Sequence, residues 1–368
     1  MTTPDPGERS RVTLLQTMQR ALARVPQVLA DEPAREALLA MAQMLPAEFL
    51  EGPLGLEFRL RGPRTVDFFA AAQPQGPSYQ ALCTALRQPL GEVGWLDPGR
   101  ADDLAQVLQR WAAGTGALPA VARYLLVEVD APAAPSAPVA VPSIFLAPRA
   151  SRDANRPGQP PNAFQQRTEA TTMAVAELSG VWPDPRTAQA FAEVVATLPA
   201  EADVFAVGAM VSRQAGSSMR VAIRRIRPEG IHEVLTAAGL APQAEVVAAW
   251  AAGSPVADHA VAFEVGPGAE SRVGLELSPS HDWKEARTDE WPALLDYVAQ
   301  SELAEPDRLA AVPGLIDAVG DPLWGLAHVK FAVDQSGVVP GCKLYVGFIA
   351  REALPTPLPR RSSGELCD

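Results

Sequence analysis

The sequence predicts an α+β fold: a closed ten-stranded antiparallel β-barrel that is surrounded by α-helices and encloses a solvent-accessible lumen. Two predicted helices followed by two predicted strands recur five times along the 368 residues, at a spacing of roughly 60 to 70 residues. Short connections within each strand pair indicate antiparallel hairpins. Closure into one barrel removes the exposed edge strands, and ten strands leave an interior too wide for side chains to fill. Two α+β domains with separate sheets are the alternative.

Each element follows from its hydrophobic period. Apolar residues at a three-to-four spacing predict helices. These helices cover residues 10–25, 32–45, 79–88, 100–114, 163–178, 186–198, 230–239, 244–253, 291–303 and 307–319. Alternating apolar and polar residues predict strands. These strands cover residues 56–61, 65–72, 124–130, 142–148, 203–213, 217–226, 259–266 and 271–278, and a last hairpin covers 328–348.

One domain is expected over residues 1–368, with N-terminal helices over 1–50, barrel repeats over 51–350 and a disordered tail over 351–368. The formal net charge of −12 argues against a nucleic-acid partner. No apolar run reaches the roughly 18 residues of a membrane helix. The N-terminal stretch MTTPDPGERSR has no apolar signal core, so we expect a cytoplasmic protein without a membrane partner. Three distant cysteines favour neither a disulfide framework nor a metal site.

The polar face of the predicted strands is unusually rich in cations. Because the apolar set of each strand must face the helices, the other set faces the lumen. The cationic members of that inner set are Arg59, Arg61, Arg220, Arg224, Arg272, Lys330 and Lys343. Enclosed like charges are costly unless an anion compensates them, and Arg grips phosphate oxygens in a bidentate fork. An anion site is therefore predicted; the alternative is solvation at strand ends or pairing with Glu57, Glu128 and Glu276.

This arrangement resembles the ABBA prenyltransferases, whose fold is the PT barrel, and is most similar to the indole-type and cyanobactin-type peptide prenyltransferases. The ααββ order carries the resemblance, together with the short stretches GLEFRL, SSMRVAIRRI, HVKF and CKLYVGF. The resemblance implies that an allylic diphosphate is held by Arg59 or Arg61, Arg220, Lys330, Lys343 and Tyr345. Arg224 and Arg272, which also belong to the inner-face cations, are expected to bind the diphosphate as well.

The resemblance also implies a catalytic residue, Glu57, which orients the nucleophile and accepts its proton. Side chains expected to contact the acceptor or shield a carbocation are Tyr124, Phe69, Glu276 and His328. One departure is clear: the strands at 124–130 and 142–148 lack the inward Lys that the family contributes there, and Arg149 is the nearest substitute. No pattern requires a cofactor; Mg²⁺ is compatible with diphosphate chemistry but no motif dictates it.

The predicted activity is transfer of an allylic prenyl group from a prenyl diphosphate to an aromatic, indole-like acceptor or a peptide side chain, in natural-product or ribosomal-peptide biosynthesis. Three alternatives stay open, because folds are reused for new chemistry. The barrel could transfer a different group, carry an anionic hydrophobic ligand without catalysis, or serve as a peptide-binding accessory protein. Glu57 separates an enzyme from a carrier, since a carrier has no need of a proton acceptor.

Overall fold

All ten strands belong to one sheet that closes on itself. The computed structural model describes residues 13–45, 54–74, 82–83, 98–130, 142–148, 163–182, 184–209, 218–279, 290–318 and 324–348. The strands are β1 (Leu54–Arg59), β2 (Val66–Ala72), β3 (Ala122–Val129), β4 (Ser143–Pro148), β5 (Asp203–Ala209), β6 (Met219–Arg224), β7 (Asp258–Val265), β8 (Val273–Ser278), β9 (Trp324–Asp334) and β10 (Gly337–Phe348). Neighbours along the chain pair antiparallel, and β1 pairs with β10 to close the barrel. The predicted fold class is confirmed, and the alternative with two separate sheets is wrong.

Ten helices lie within the described residues, and paired helices separate successive hairpins. They are α1 (Leu14–Leu22), α2 (Glu32–Met44), α3 (Pro98–Ala112), α4 (Leu118–Val121), α5 (Ala163–Ser179), α6 (Pro185–Ala196), α7 (Pro228–Ala237), α8 (Ala241–Gly253), α9 (Glu290–Gln300) and α10 (Pro306–Ala318). Side-chain caps fix several helix starts: Thr13 forms a capping box with Gln16, and Asp31 and Asp184 cap α2 and α6. Within the described residues, no helix is both long and apolar enough to cross a membrane.

The hydrophobic core lies between the barrel wall and the helices. The outward strand residues Leu56, Phe58, Val221 and Leu275 are fully buried in one continuous cluster with the inner faces of the helices. Trp250 on α8, for example, packs edge-on against Phe331 of β9 with ring centroids 5.0 Å apart. Burial of this apolar layer contributes roughly 25 cal/mol for each Å² removed from water. The opposite faces of the strands are thereby left to line the lumen.

Element boundaries differ from the prediction in two places. Strand β9 begins at Trp324, four residues before the predicted hairpin, because its ladder with β10 extends through Ala327↔Val346 and Trp324↔Phe348. The four-residue helix α4 was not predicted, since so short a segment has no measurable period. Several predictions fall outside the described residues: most of the helix over 79–88, the end of the strand at 210–213, Arg149 and the tail over 351–368.

Candidate ligand site in the barrel lumen

The lumen contains two adjoining cavities of contrasting chemistry. The polar chamber, about 290 Å³, is lined by charged and polar side chains that include Glu57, Arg59, Arg61, Glu128, Asp130, Arg220, Glu270, Arg272, Lys330, Lys343 and Tyr345. The apolar chamber, about 270 Å³, is lined mainly by Phe69, Tyr124, Leu126, Phe145, Phe205, Ala206, Ala222, Ala260 and Ala262, with Arg224, Asp258, Glu276, Ser278 and His328 at its margin. Glu128, Arg220, Lys330 and Tyr345 line both cavities, so the chambers meet at these four side chains.

Strand direction decides which chamber lies at which end of the barrel. The polar chamber includes Arg59, the last residue of β1, and Arg272, which precedes β8; both lie beside hairpin turns. The apolar chamber includes Asp258, the first residue of β7, and Ser278, the last residue of β8; both lie at strand ends that connect to helices. A ligand with a charged head and an apolar tail would therefore lie along the barrel axis, with its head toward the hairpin turns.

Glycines on the inner face make room for large lumen side chains. A Cβ on Gly55 would lie 1.8 Å from the Phe69 ring, which covers this glycine from the neighbouring strand. A Cβ on Gly274 would lie 2.7 Å from Lys330 Cε, so the Lys330 stem also passes over a glycine. The close approach holds Phe69 and Lys330 against the barrel wall, where each helps to shape its chamber.

Strand register arranges the polar side chains in two rows across neighbouring strands. The first row runs Arg59 (β1), Lys343 (β10), Lys330 (β9) and Glu276 (β8). The second row, one step further along the barrel axis, runs Asp67 (β2), Glu57 (β1), Tyr345 (β10) and His328 (β9). Three adjacent cations would repel one another, as like charges opposite each other in a sheet do. Carboxylates in the second row and at the end of the first offset that repulsion.

Glu57 lies at the centre of this array and contacts Lys343, Tyr345 and Asp67. Its carboxylate forms an ion pair with the Lys343 ammonium and hydrogen bonds with Tyr345 and Asp67. Burial alone would raise the pKa of Glu57, but Lys343, Tyr345 and Asp67 outweigh it and lower the pKa below its ordinary value. Glu57 is therefore a stabilised carboxylate and a weak base.

Asp67 faces Glu57 and carries the opposite shift. Burial and the neighbouring Glu57 charge raise the pKa of Asp67 to about 7, although Arg59 Nη2 lies 3.3 Å from its Oδ2. Two carboxylates in contact cannot both ionise without cost, so the pair holds a proton near neutral pH. Asp67 was not predicted as a site residue, although strand alternation places it on the same inner face as Phe69.

A second ion-paired group surrounds Glu276. Lys330 Nζ lies 2.7 Å from Glu276 Oε1, and His328 Nε2 lies 3.6 Å from Oε2. Burial would raise the pKa of Glu276, but Lys330 and His328 lower it to about 2. Burial lowers the pKa of His328 more than Glu276 raises it, so this ring is neutral at pH 7. The His328 ring stacks on Tyr345 with centroids 4.6 Å apart and planes within 8°.

The predicted cations all reach the lumen or its rim, but most of their charge is compensated. Arg59, Lys330, Lys343 and Arg224 each have a carboxylate partner: Asp67, Glu276, Glu57 and Asp203. Pairing with Glu276 and Glu57, the predicted alternative, holds for Lys330 and Lys343, and the anion site stays a prediction. Arg61 lies at the exposed rim and donates to the Glu302 carbonyl at 2.5 Å. Of the residues described, Arg220 and Arg272 are the lumen cations without a hydrogen bond or a carboxylate partner.

Arg224 is separated from the other predicted diphosphate ligands. It lies four residues from Arg220 on β6, which at roughly 3.3 Å per residue places the two about 13 Å apart along the strand. It borders the apolar chamber and pairs with Asp203 at 3.3 Å. Arg220, by contrast, lies where the two chambers meet.

The apolar chamber is largely aromatic. Phe69 and Tyr345 lie with ring centroids 6.2 Å apart, and Tyr124 lines the same space. Phe145 and Phe205 complete the wall and were not predicted. Phe205 sits at a bulge between β5 and β6, where the register shifts between Val204 and Ala206. The bulge breaks the alternation that sequence reasoning relies on, so Phe205 and Ala206 both line the lumen.

Strand β3 contributes acidic residues where the resemblance implies a lysine: its inner face carries Tyr124, Leu126, Glu128 and then Asp130. Among the described residues, no group of three or more His, Cys, Asp or Glu side chains is arranged to hold a metal ion. The chain matches no protein-family model, and no curated protein matches it. The chemistry of the lumen therefore carries the functional argument.

Proposed function

We propose that the protein transfers an allylic prenyl group from a prenyl diphosphate to an aromatic or peptide side-chain acceptor inside the barrel. The observation that carries the proposal is the junction of two chambers of opposite character at Arg220, Lys330 and Tyr345. A prenyl diphosphate has the same two parts, an anionic head and an apolar chain. The allylic carbon, which joins them, would lie at that junction.

The polar chamber suits the leaving group. Loss of diphosphate from an allylic carbon develops negative charge, which preorganised cations stabilise in an enclosed site. Arg220 and Arg272 have no carboxylate partner among the described residues and are available to phosphate oxygens. Lys330 and Lys343 would exchange or share their carboxylate partners when the diphosphate arrives. Arg59 and Arg61 line the same chamber beside the β1–β2 turn.

The apolar chamber suits the carbocation and its chain. Aromatic faces attract cations and exclude water, which would otherwise capture the carbocation. Phe69, Tyr124, Phe145 and Phe205 supply such faces, and Tyr345 closes the space beside the polar chamber. Its hydroxyl stays protonated, because burial and nearby Glu57 raise the pKa of Tyr345 well above its ordinary value. A carboxylate of the lumen would take the proton that the acceptor loses.

A non-catalytic carrier of an anionic hydrophobic ligand is the second candidate. The pairing of Arg59, Lys330 and Lys343 with carboxylates favours it, since paired cations stabilise a leaving group less than free ones. A carrier would bind the same ligand in the same pose. The two functions differ in turnover alone.

Calorimetric titration of dimethylallyl and geranyl diphosphates, with and without Mg²⁺, tests the site. Arg220→Met should weaken binding roughly 10- to 100-fold, as expected for loss of a charge-assisted hydrogen bond. Arg224→Met, on the same strand and face, should leave the affinity within about threefold, since diphosphate does not reach it. The proposal is refuted if the unmodified protein binds neither diphosphate, both with and without Mg²⁺.

Turnover separates the two candidates. Protein that binds geranyl diphosphate is incubated with indole, and products are followed by mass spectrometry. Prenylated indole, or slow release of geraniol, supports the enzyme, because both require cleavage of the allylic carbon–oxygen bond. Binding with neither product favours the carrier.

A further inference from the structure

Glu128 differs from every other carboxylate at the centre of the lumen. It lies on the inner face of β3, between Phe69 of β2 and Ser143 of β4 in the strand register. It lines both chambers, and its side chain is exposed to the space they enclose. Over the described ranges of the chain, neither a hydrogen bond nor an ion pair reaches its carboxylate. Both oxygens are open to a ligand at the point where the chambers meet.

The other central carboxylates are already occupied. Glu57 binds Lys343, Tyr345 and Asp67; Glu276 binds Lys330 and faces His328. Asp67 contacts Glu57 and Arg59. A substrate N–H would have to displace one of these partners to reach Glu57 or Glu276. At Glu128 it would displace none.

We propose that Glu128, and not Glu57, is the catalytic carboxylate that binds the N–H group of an aromatic acceptor and removes the proton. The inference rests on the proposed prenyl transfer. The acceptor ring would lie against Phe69, the cross-strand neighbour of Glu128, with its N–H directed at the carboxylate. An aromatic N–H compound such as an indole is the class that this pairing of a flat apolar face with a hydrogen-bond acceptor selects.

The reaction balances with Glu128 in that role. The allylic carbon–oxygen bond breaks, and its electron pair leaves with the diphosphate in the polar chamber. An electron pair of the acceptor ring system forms the new bond to the allylic carbon. The proton that the acceptor loses passes to a Glu128 oxygen, which gives a neutral carboxylic acid. Release of that proton to solvent after the products leave restores the carboxylate, and no oxidant or reductant is needed.

The electrostatic surroundings agree with the geometry. Enclosure by the barrel raises the pKa of Glu128, against the opposing influence of Lys330, Arg220 and Lys343, whereas the pKa of Glu57 is lowered. A carboxylate with a raised pKa is the stronger base, and proton transfer is more efficient as the pKa approaches the working pH. Glu57 instead holds Lys343 and the Tyr345 hydroxyl in place beside the diphosphate.

The test compares three isosteric variants in the full chain: Glu128→Gln, Glu57→Gln and Glu264→Gln. Glu264 is the control, a β7 carboxylate held by Ser218 and the Glu270 amide that lines neither chamber. Donor binding is measured with geranyl thiolodiphosphate, a slowly ionising analogue, and acceptor binding with indole added to the loaded protein. Turnover is followed as geranylated indole and as geraniol.

Glu128→Gln should keep donor affinity within about twofold, weaken indole binding at least tenfold and abolish geranylated indole while geraniol is still released. Glu264→Gln should match the unmodified protein in all four readouts. Unchanged indole affinity in Glu128→Gln, or loss of transfer in Glu57→Gln alone with donor binding kept, would assign the role elsewhere and overturn the inference. If the unmodified protein binds geranyl thiolodiphosphate but then does not bind indole, the inference that the acceptor is an aromatic N–H compound is wrong. Failure to bind the donor would instead refute the proposed function.

Discussion

At the scale of single residues, Tyr345 links the two halves of the lumen. One face of its ring stacks on His328, Lys330 Nζ lies 5.5 Å from the ring centroid, and its hydroxyl hydrogen-bonds with Glu57. A cation near a tyrosine ring is stabilised by about 0.5 to 2 kcal/mol, more when it is removed from water. These contacts favour one orientation of the ring at the boundary between the chambers.

Asp67 makes the stability of the protein depend on pH near neutrality. Its pKa is about 7 in the folded protein against an ordinary 3.8, so between these values the native state holds a proton that the unfolded chain has lost. The contribution of Asp67 to the unfolding free energy is therefore unfavourable above about pH 4 and worsens as the pH rises to 7. Asp67→Asn removes this penalty. We expect the stability advantage of the variant over the unmodified protein to grow by roughly 3 kcal/mol from pH 5 to pH 8, mostly below pH 7.

Urea unfolding at pH 5, 6, 7 and 8 measures that difference directly. Glu264→Gln is the control, because it removes a carboxylate from the inner face of β7 but does not touch Glu57 or Asp67. A difference between Asp67→Asn and the unmodified protein that stays constant across the series would mean that Asp67 is ionised throughout. A gain that grows with pH is the signature of a proton held by the carboxylate pair.

At the scale of elements, Arg308 fastens the β1–β2 turn to the helical layer. This arginine of α10 is 3% exposed and donates to the Arg59 carbonyl at 2.8 Å and the Gly62 carbonyl at 2.6 Å. It also forms an ion pair with Glu305 at 2.9 Å. Glu305 in turn accepts from the Gly62 amide and donates its own amide to the Leu60 carbonyl. These contacts fix the last residue of β1, Arg59, and the turn that follows it, which carries Arg61; both arginines line the polar chamber.

Arg308→Met should destabilise the protein by about 2 to 4 kcal/mol, because two backbone carbonyls and the Glu305 carboxylate lose a donor that lies in a buried position. The long apolar Met side chain keeps much of the packing volume, so the loss reports on the polar contacts. Arg227→Met, at an exposed arginine 3.7 Å from Glu201, should change stability by no more than about 0.5 kcal/mol. Equal urea midpoints for the two variants would show that the Arg308 contacts are dispensable.

Alternation in the sequence predicts which residues of a strand face the lumen. It does not predict which residues lie opposite one another on neighbouring strands. Alternation alone places Arg220 and Lys330 on the inner face and Val221 and Phe331 on the outer one, and the structure agrees. Which inner side chains meet depends on the pairing of neighbouring strands, and a shift in register changes every pair. The Glu57–Asp67 contact was missed for that reason. Phe205 was missed because a bulge places it off the alternating pattern.

At the scale of the whole molecule, closure of the barrel gathers cationic side chains inside a protein whose net charge is negative. The protein carries a net charge of −12, yet six cationic side chains and four carboxylates line the polar chamber. Anionic ligands are thus repelled by the molecule as a whole and attracted at one end of its lumen. That arrangement of charge depends on the barrel being closed, since an open sheet would expose the inner rows to bulk solvent.

Closure of the barrel depends on the ladder between β1 and β10, two strands that are distant in the chain. Val346 on β10 lies opposite Leu56 of β1 on one side and Ala327 of β9 on the other, and it is fully buried. Proline there removes a ladder hydrogen bond and crowds the neighbouring strand, so Val346→Pro should prevent the barrel from closing. Two edge strands would then be exposed, and we expect loss of soluble protein or of a cooperative urea transition. Soluble yield and circular dichroism under urea measure both effects.

The chain provides its own control at Pro340. This natural proline lies in β10 where the pairing with β9 is interrupted, between Val338 and Cys342, and outside the segment that pairs with β1. Pro340→Ala should therefore change the unfolding free energy by less than about 1 kcal/mol, mainly through the unfolded chain. If Val346→Pro were as soluble and as resistant to urea as Pro340→Ala, the β1–β10 ladder would not be what closes the barrel. The helical layer would then have to hold the two strands side by side without their hydrogen bonds.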